Sequence, residues 1–180
     1  QNYFSYANTT GHGIIGKHNL SKHNLTFRET SVLLNSRLKL DGSMNLMRQV
    51  VKNKPTVGGF YMNPLVGLYR FPRGEDIAYY KENFEVYDEG RNLNIQNWHT
   101  SYEDFEQNPY WITNRILSKE NRMHVIVSLS ANLKINDWLS LQARGNVDYI
   151  NDKVRQQFYA STAPALAGAN GRYIEMDYQE

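Results

Sequence analysis

The chain has 180 residues, 41% of them hydrophobic and 21% charged, with a formal net charge of +2 and no cysteine. Charge this close to balance provides no field for nucleic acid, so no nucleic-acid partner is expected, and the missing thiols exclude disulfide staples and thiolate metal sites. No apolar run reaches the ~18 residues of a transmembrane helix; a transmembrane barrel stays open, because its strands are apolar on one side only.

Gln1-Asn2-Tyr3-Phe4-Ser5-Tyr6 reads as an aromatic strand over about 1–7. It starts without Met or a signal peptide, and Asp177-Tyr178-Gln179-Glu180 stops without a terminating element, so the sequence reads as a piece of a longer chain. A loop over 8–22 follows, bearing Gly11, Gly13 and Gly16 and a short echo, Lys17-His18-Asn19-Leu20 and Lys22-His23-Asn24-Leu25. The second strand is expected over 23–34, with Leu25, Phe27 and Leu33 on one face and Asn24, Thr26, Arg28 and Thr30 on the other. Glu29 and Ser31 interrupt its apolar side. The third strand runs over about 37–50, where Leu38, Leu40, Met44 and Leu46 alternate with Lys39, Asp41, Ser43 and Asn45.

From 51 to 118 regular patterning stops. Pro55, Gly58, Gly59, Pro64, Gly67, Pro72, Gly74, Gly90 and Pro109 punctuate the stretch, and no period of two or 3.6 persists. Connections this long are uncommon in compact domains and are usually functional. Phe60, Tyr61, Tyr69, Phe71, Tyr79, Tyr80, Phe84, Tyr87, Trp98, Tyr102, Phe105, Tyr110 and Trp111 make it unlike a flexible linker. Two readings follow. Either the rings form a small core of the loop itself, or some of them face a ligand, since aromatic faces stack on sugar rings and peptide side chains at little rotamer cost. On the second reading the ligand candidates are Tyr61, Tyr69, Arg73, Tyr80, Trp98 and Trp111.

The clearest pattern lies between Arg122 and Asp152. Val125, Val127, Leu129, Ala131, Leu133 and Ile135 alternate with His124, Ser128, Ser130, Asn132 and Lys134; beyond Asn136-Asp137-Trp138 the alternation resumes with Leu139, Leu141, Ala143, Gly145, Val147 and Tyr149. A helix would scatter these residues around its circumference, so strands are expected over 121–135 and 139–152, about twice the usual ~5–6 residues. Leu34-Asn35-Ser36-Arg37-Leu38-Lys39-Leu40 echoes Ile135-Asn136-Asp137-Trp138-Leu139-Ser140-Leu141, which predicts antiparallel hairpins built to a single rule, with Asn, Asp and Ser at the turns. Residues 153–180 are expected to be a further loop.

Connection length separates two all-β architectures that alternate alike. The turns at 35–37 and 136–138 are short, while the connections at the other strand ends, 8–22, 51–118 and 153–180, are long. That is the layout of an outer-membrane barrel, with short periplasmic turns and long extracellular loops, whereas a soluble sandwich need not segregate its connections.

Several short motifs carry a resemblance. Tyr6-Ala7-Asn8-Thr9-Thr10-Gly11 with Lys22-His23-Asn24-Leu25-Thr26-Phe27-Arg28, then Asn63-Pro64-Leu65-Val66-Gly67-Leu68-Tyr69 with Phe71-Pro72-Arg73-Gly74, then Gln107-Asn108-Pro109-Tyr110-Trp111, and last Asp137-Trp138-Leu139 resemble, in order, the SusC/RagA family of TonB-linked outer-membrane proteins. The resemblance implies that residues 1–180 are part of a TonB-dependent receptor barrel, roughly five antiparallel strands of a 22-stranded transmembrane wall with long extracellular loops. It implies a multi-pass location in the outer membrane of a Gram-negative bacterium and uptake of a glycan or peptide nutrient. The implied partners are a SusD-like surface lipoprotein, TonB and outer-membrane lipid. The plug domain and the TonB-contacting segment are absent from these residues, so TonB would act through other parts of the protein. No cofactor and no enzymatic activity are implied.

On the barrel reading Lys39, Asp41, Asn45, Arg144, Asn146 and Asp148 face the lumen, with Ser43 and Gln142. Leu38, Leu40, Met44, Val127, Leu129, Leu139, Leu141 and Val147 face lipid. Trp138 and Tyr149 belong to the two aromatic girdles, unless the Trp138 ring simply covers its own turn. The rival reading is a soluble all-β carbohydrate-binding module that uses the aromatic loop 55–111.

Other chemistries are weaker. His12, His18, His23, His99 and His124 lack the paired spacing of a zinc site. Glu103, Asp104 and Glu106 have the residue types of a glycosidase pair, but adjacent carboxylates in a polar loop are ordinarily solvated. Calcium could use that cluster, or Asp148 and Asp152, without EF-hand spacing. The glycines of 11–16 lack the Lys-Ser/Thr and the helix of a phosphate loop.

Overall fold

A computed structural model of the chain describes residues 1–56, 58, 61–100 and 106–180. In order, the elements are β1 (Asn2–His12), β2 (Asn19–Leu33), β3 (Leu38–Lys52), α1 (Pro64–Arg70), α2 (Ile77–Glu82), β4 (Glu85–Asp88), β5 (Leu93–Gln96), α3 (Pro109–Arg115), β6 (Ile116–Lys134), β7 (Ser140–Phe158), α4 (Pro164–Ala167) and β8 (Arg172–Gln179). Strand takes 55% of the chain and helix 14%, with every helix in a connection, so the chain is all-β. Among the described residues the six long strands form one open antiparallel sheet in the order β1-β2-β3-β6-β7-β8, and β4-β5 is a separate hairpin.

The strands run further than alternation predicts. β1 reaches His12, β2 begins at Asn19, β6 begins at Ile116 and β7 reaches Phe158, so the first connection shrinks to 13–18. Residues 172–179, expected within a loop, form β8 on β7. The reason is physical: Lys119-Glu120-Asn121-Arg122 and Asn151-Asp152-Lys153 put polar groups on both faces. The hydrophobic signal fades there while the backbone ladder continues.

Register assembles the apolar residues into rows. Leu33, Leu38, Leu133 and Leu141 lie side by side; Phe27, Met44, Val127 and Val147 form another row, and Leu25, Leu46, Val125 and Tyr149 a third, with Phe4 and Tyr6 continuing the last two onto β1. From Leu141 to Tyr149 this band covers about 26 Å along the strand, at ~3.3 Å per residue. Among the described residues no second layer covers it. Leu129, Leu141 and Val147 are 62%, 61% and 62% exposed, whereas every fully buried apolar side chain lies at the loop end: Trp98, Trp111, Ile112, Ile116, Phe158, Ala163 and Ala167.

The echoing turns prove unlike. In the first, Leu34, Asn35 and Ser36 all take positive φ, and β2 pairs with β3 through Leu33 and Leu38. In the second, no residue of 135–139 does so, and the last pair is Lys134 with Ser140. The turns differ in length by one residue. Strand faces alternate with period two, so the shorter turn carries the apolar set from odd to even numbers and the longer one keeps it odd. Both solutions leave the band on one face.

Candidate functional site

Two regions present chemistry: the polar face of the sheet, and a folded cap at the loop end. The cap is built from three short helices whose starts are written in the sequence. Asn63, Asp76 and Asn108 are N-caps whose side-chain oxygens accept from the backbone N–H of Leu65, Ala78 and Tyr110, and Pro64 and Pro109 fill first-turn positions with no N–H to satisfy.

The residues Gln107 to Trp111 tie the cap together. Asn108 is fully buried; its Nδ2 donates to the carbonyl oxygens of Tyr80 at 3.0 Å and Asn97 at 2.8 Å, and its N–H donates to Gln96 Oε1 at 2.7 Å. Gln107 Nε2 donates to the Tyr61 carbonyl, while Gln107 Oε1 accepts from the Ala163 N–H at 2.8 Å. Trp111, 1% exposed, donates to Thr162 Oγ1 at 3.1 Å. The two long connections, 53–115 and 159–171, are therefore one folded unit. α1 docks on it through Gly67, where an added Cβ would lie 2.6 Å from the Gln107 carbonyl oxygen.

A carboxylate lies inside the same unit. Glu106 is 3% exposed; its Oε1 accepts from Trp98 Nε1 at 3.1 Å and meets His99 Nε2 at 2.9 Å, and its Oε2 meets Arg70 Nε at 3.1 Å. The expectation of a solvated Glu106 is thus corrected: three polar partners hold it in the interior. Glu103 and Asp104 lie outside the described residues. Glu85 receives Arg115 Nε and Nη2, both at 2.6 Å, and this hydrogen bonding holds its carboxyl below the usual carboxylate range. A hydrogen bond to Glu75 at 2.8 Å is the main cause that pushes the Tyr80 phenol up.

The six ligand candidates of the loop divide sharply. Trp98 and Trp111 are buried, so neither offers a ring face to a ligand; both are core. Tyr80 is half-buried, edge-on to Trp98 at 5.2 Å and to Phe71 at 5.8 Å. Tyr61 is half-buried as well. Tyr69 is 86% exposed and Arg73 is exposed, and these two remain available at the surface with Tyr79 and Tyr87. Phe60, Tyr102 and Phe105 lie outside the described residues. The sequence reading named Glu106, Gln107 and Asn108 but missed their burial; the Asn-Pro pair at 108–109 is the signal that could have placed a helix start there.

On the polar face the register brings Lys39, Asp41, Asn45, Arg144, Asn146 and Asp148 to one side of the sheet. Asp41 accepts from Arg28 at 2.7 Å and Thr30 at 2.8 Å, in a hollow of about 620 Å³ lined also by Tyr3, Thr26, Lys39 and Ser43. A second hollow of about 240 Å³ joins Asp41 to Ser128, Ser130, Arg144 and Asn146. Asn45 donates to Thr26 at 2.8 Å. Hydrogen-bonding side chains are thus spread across a broad surface, an arrangement suited to hydrated, polyhydroxylated or peptidic solutes.

The calcium reading at Asp148 and Asp152 is corrected, because His124 meets Asp148 at 2.6 Å and Arg122 grips Asp152 through two bonds of 2.7 and 2.5 Å. Among the described residues no group of three His, Asp or Glu is placed to hold a metal ion. Trp138 is 81% exposed, so its ring does not cover its own turn. Comparison of the chain with protein-family models, with curated proteins and with solved structures gives no match.

Proposed function

We propose that this chain is a stretch of wall and extracellular cap from a SusC/RagA-type TonB-linked outer-membrane importer, taking up a glycan or peptide. The observation that carries this reading is the bare apolar band. Rows of Leu, Val, Met and Phe cover about 26 Å of strand with no layer over them among the described residues; at the ~40° tilt of outer-membrane strands that is ~20 Å of height, which the flanking rings extend across the ~25 Å outward band of such barrels. A soluble module would bring Leu38, Leu40, Leu139 and Leu141 together in a dry centre; here Leu38, Leu40 and Leu141 line one uncovered side of a single sheet.

Three features support the reading. Tyr6 and Tyr149 share the row that ends the band toward the loops, and Trp138 stands at its other end, as two aromatic girdles would. Both tight turns lie at the Trp138 end, and the cap lies at the other. The reverse face carries Arg28, Lys39, Asp41, Arg144 and Asp148, which a water-filled lumen keeps hydrated. In this arrangement the polar hollows line the substrate path, the exposed Tyr69 and Arg73 lie on the side that a SusD-like lipoprotein covers, and TonB acts through parts of the protein outside this sequence.

The test compares adjacent positions on opposite faces. At the midplane of a lipid-facing wall an arginine costs ~2–4 kcal/mol, and on the lumen side almost nothing. In the full-length protein Leu129→Arg, which pairs with Gly145 at the centre of the band, is expected to lower outer-membrane yield while Ser130→Arg assembles normally. Equal yields would remove the assignment, and a soluble, cooperatively melting fragment would favour the carbohydrate-binding module instead.

A further inference from the structure

The apolar band does not end in a uniformly polar rim. On the same face, toward the cap, the next rows carry Arg48, then Lys153, then Lys52 beside Lys119 beside Arg155. Lys52 and Lys119 are direct cross-strand neighbours, and so are Lys119 and Arg155. Like charges placed directly opposite are destabilising, so a row of three calls for a counter-charge. The fold supplies only part of one. Arg155 meets Glu175 at 2.9 Å and Lys153 meets Asp177 at 2.9 Å, while Lys52 and Lys119 have no ion-pair partner among the described residues. A hollow of about 290 Å³ lies over them, lined by Lys52, Lys119, Arg155, Leu117 and Gln157.

We infer that this row is a docking site for the phosphate headgroup of an acylated glycolipid of the outer leaflet, the lipopolysaccharide class, bound to the outside of the wall. Two complementary surfaces share this face: an uncovered apolar band for acyl chains and, with two rows between, a cationic hollow for phosphate in which only Arg155 has an ion-pair partner among the described residues. The row lies six residues beyond Tyr149 on β7, about 20 Å along a tilted strand, and lysine and arginine stems reach back toward the band. A free anion would use the cations alone, and a nutrient would use the opposite face. The inference rests on the membrane reading above, because only then does lipid meet this side of the sheet.

The experiment uses the full-length protein, extracted from the outer membrane, stripped of lipid and titrated with bisphosphorylated or dephosphorylated lipid A under native mass spectrometry. The wild-type protein is expected to hold the phosphorylated form roughly tenfold more tightly. Lys52→Gln with Lys119→Gln abolishes that preference without loss of the dephosphorylated form, and Lys52→Arg with Lys119→Arg preserves it. Equal affinity of the wild-type protein for both lipids, or an unchanged preference in the Gln variant, would overturn the inference. So would displacement of the lipid by an equal concentration of inorganic phosphate, which would mark a free-anion site. The Leu129→Arg and Ser130→Arg pair keeps the two failures apart: loss of their difference sinks the membrane reading, while its persistence beside an unaltered Gln variant sinks only this site.

Discussion

The sheet and the cap deploy the same residue types in opposite ways. In the cap, several aromatic rings turn inward and polar side chains are buried with partners beside them: Trp111 on Thr162, Trp98 on Glu106, Asn108 on three backbone or side-chain groups. In the sheet, leucines and valines stand outward and no side chain of the three apolar rows is buried. The cap is therefore stabilised by its own interior, while the sheet owes its form to cross-strand bonds and to whatever solvent meets its apolar side. A protein built this way has two separable stabilities, and each can be attacked without the other.

The largest effect is expected from Trp111→Ala. Emptying a site 1% exposed costs about 3–5 kcal/mol for a tryptophan and orphans the Thr162 hydroxyl, so the cap should open. In the full-length protein, limited proteolysis should cut within 53–115 and 159–171 while the six-stranded sheet stays protected. Loss of both together would show that cap and wall form one cooperative unit. Gly67→Ala probes the same interior from the other side. Its Cβ would stand 2.6 Å from the Gln107 carbonyl oxygen and 3.3 Å from Pro109, so α1 must move away, at a cost of about 1–3 kcal/mol. The midpoint of cap proteolysis against temperature measures it, and an unchanged midpoint would place α1 outside the cooperative unit.

The sheet was legible because its signal is repetitive. Leu38, Leu40, Val127, Leu129, Leu139 and Leu141 announce one face by alternation alone, and the register keeps all of them on it except Leu139, which lies in the turn before β7. Where both faces turn polar, as at Lys119 to Arg122, alternation has nothing to report, and the strand ends and β8 were missed. The cap was illegible for a different reason. Helices as short as Pro64–Arg70 and Pro109–Arg115 span barely two turns, too few for a period of 3.6 to emerge. Their caps were present as Asn-Pro pairs. Nor can sequence distinguish a tryptophan that faces a sugar from one that fills a core, since both are aromatic residues in a glycine-rich and proline-rich loop. Burial decided it for Trp98 and Trp111.

Acid should loosen the cap. Glu85 receives two bonds from Arg115, whose guanidinium also lies over the Tyr159 ring at 5.0 Å, so one ion pair joins β4, the end of α3 and the connection after β7. The Glu85 carboxyl titrates below its ordinary 4.5 in the folded cap. Its contribution is therefore complete above that value and is lost as the pH falls through the lowered one. The protection of α3 amides, taken relative to their intrinsic exchange rates at each pH, should fall between about pH 5 and 3, and Glu85→Gln should flatten that dependence. A wild-type profile as flat as the variant's would detach the pair from cap stability.

The smallest effect is expected at the most conspicuous pair of the polar face. Arg28 and Asp41 meet at 2.7 Å with Thr30 beside them, a geometry that reads as strong; yet the Arg28 side chain is 58% exposed, and water and salt screen such a pair. Asp41→Asn keeps the shape, leaves Thr30 its acceptor and frees the guanidinium into the hollow it borders. Assembly and thermal midpoint should stay at wild-type values. What should change is the charge that a solute meets along that face: with Lys39 and Arg144 already near, the variant leaves three cations without a carboxylate among them. On the proposed importer reading, the full-length protein without its plug, reconstituted in a bilayer, should therefore shift its ion selectivity toward anions, with no change in yield. A shift in stability without one in selectivity would reverse the roles, making Asp41 a strut of the sheet rather than a lining of the lumen.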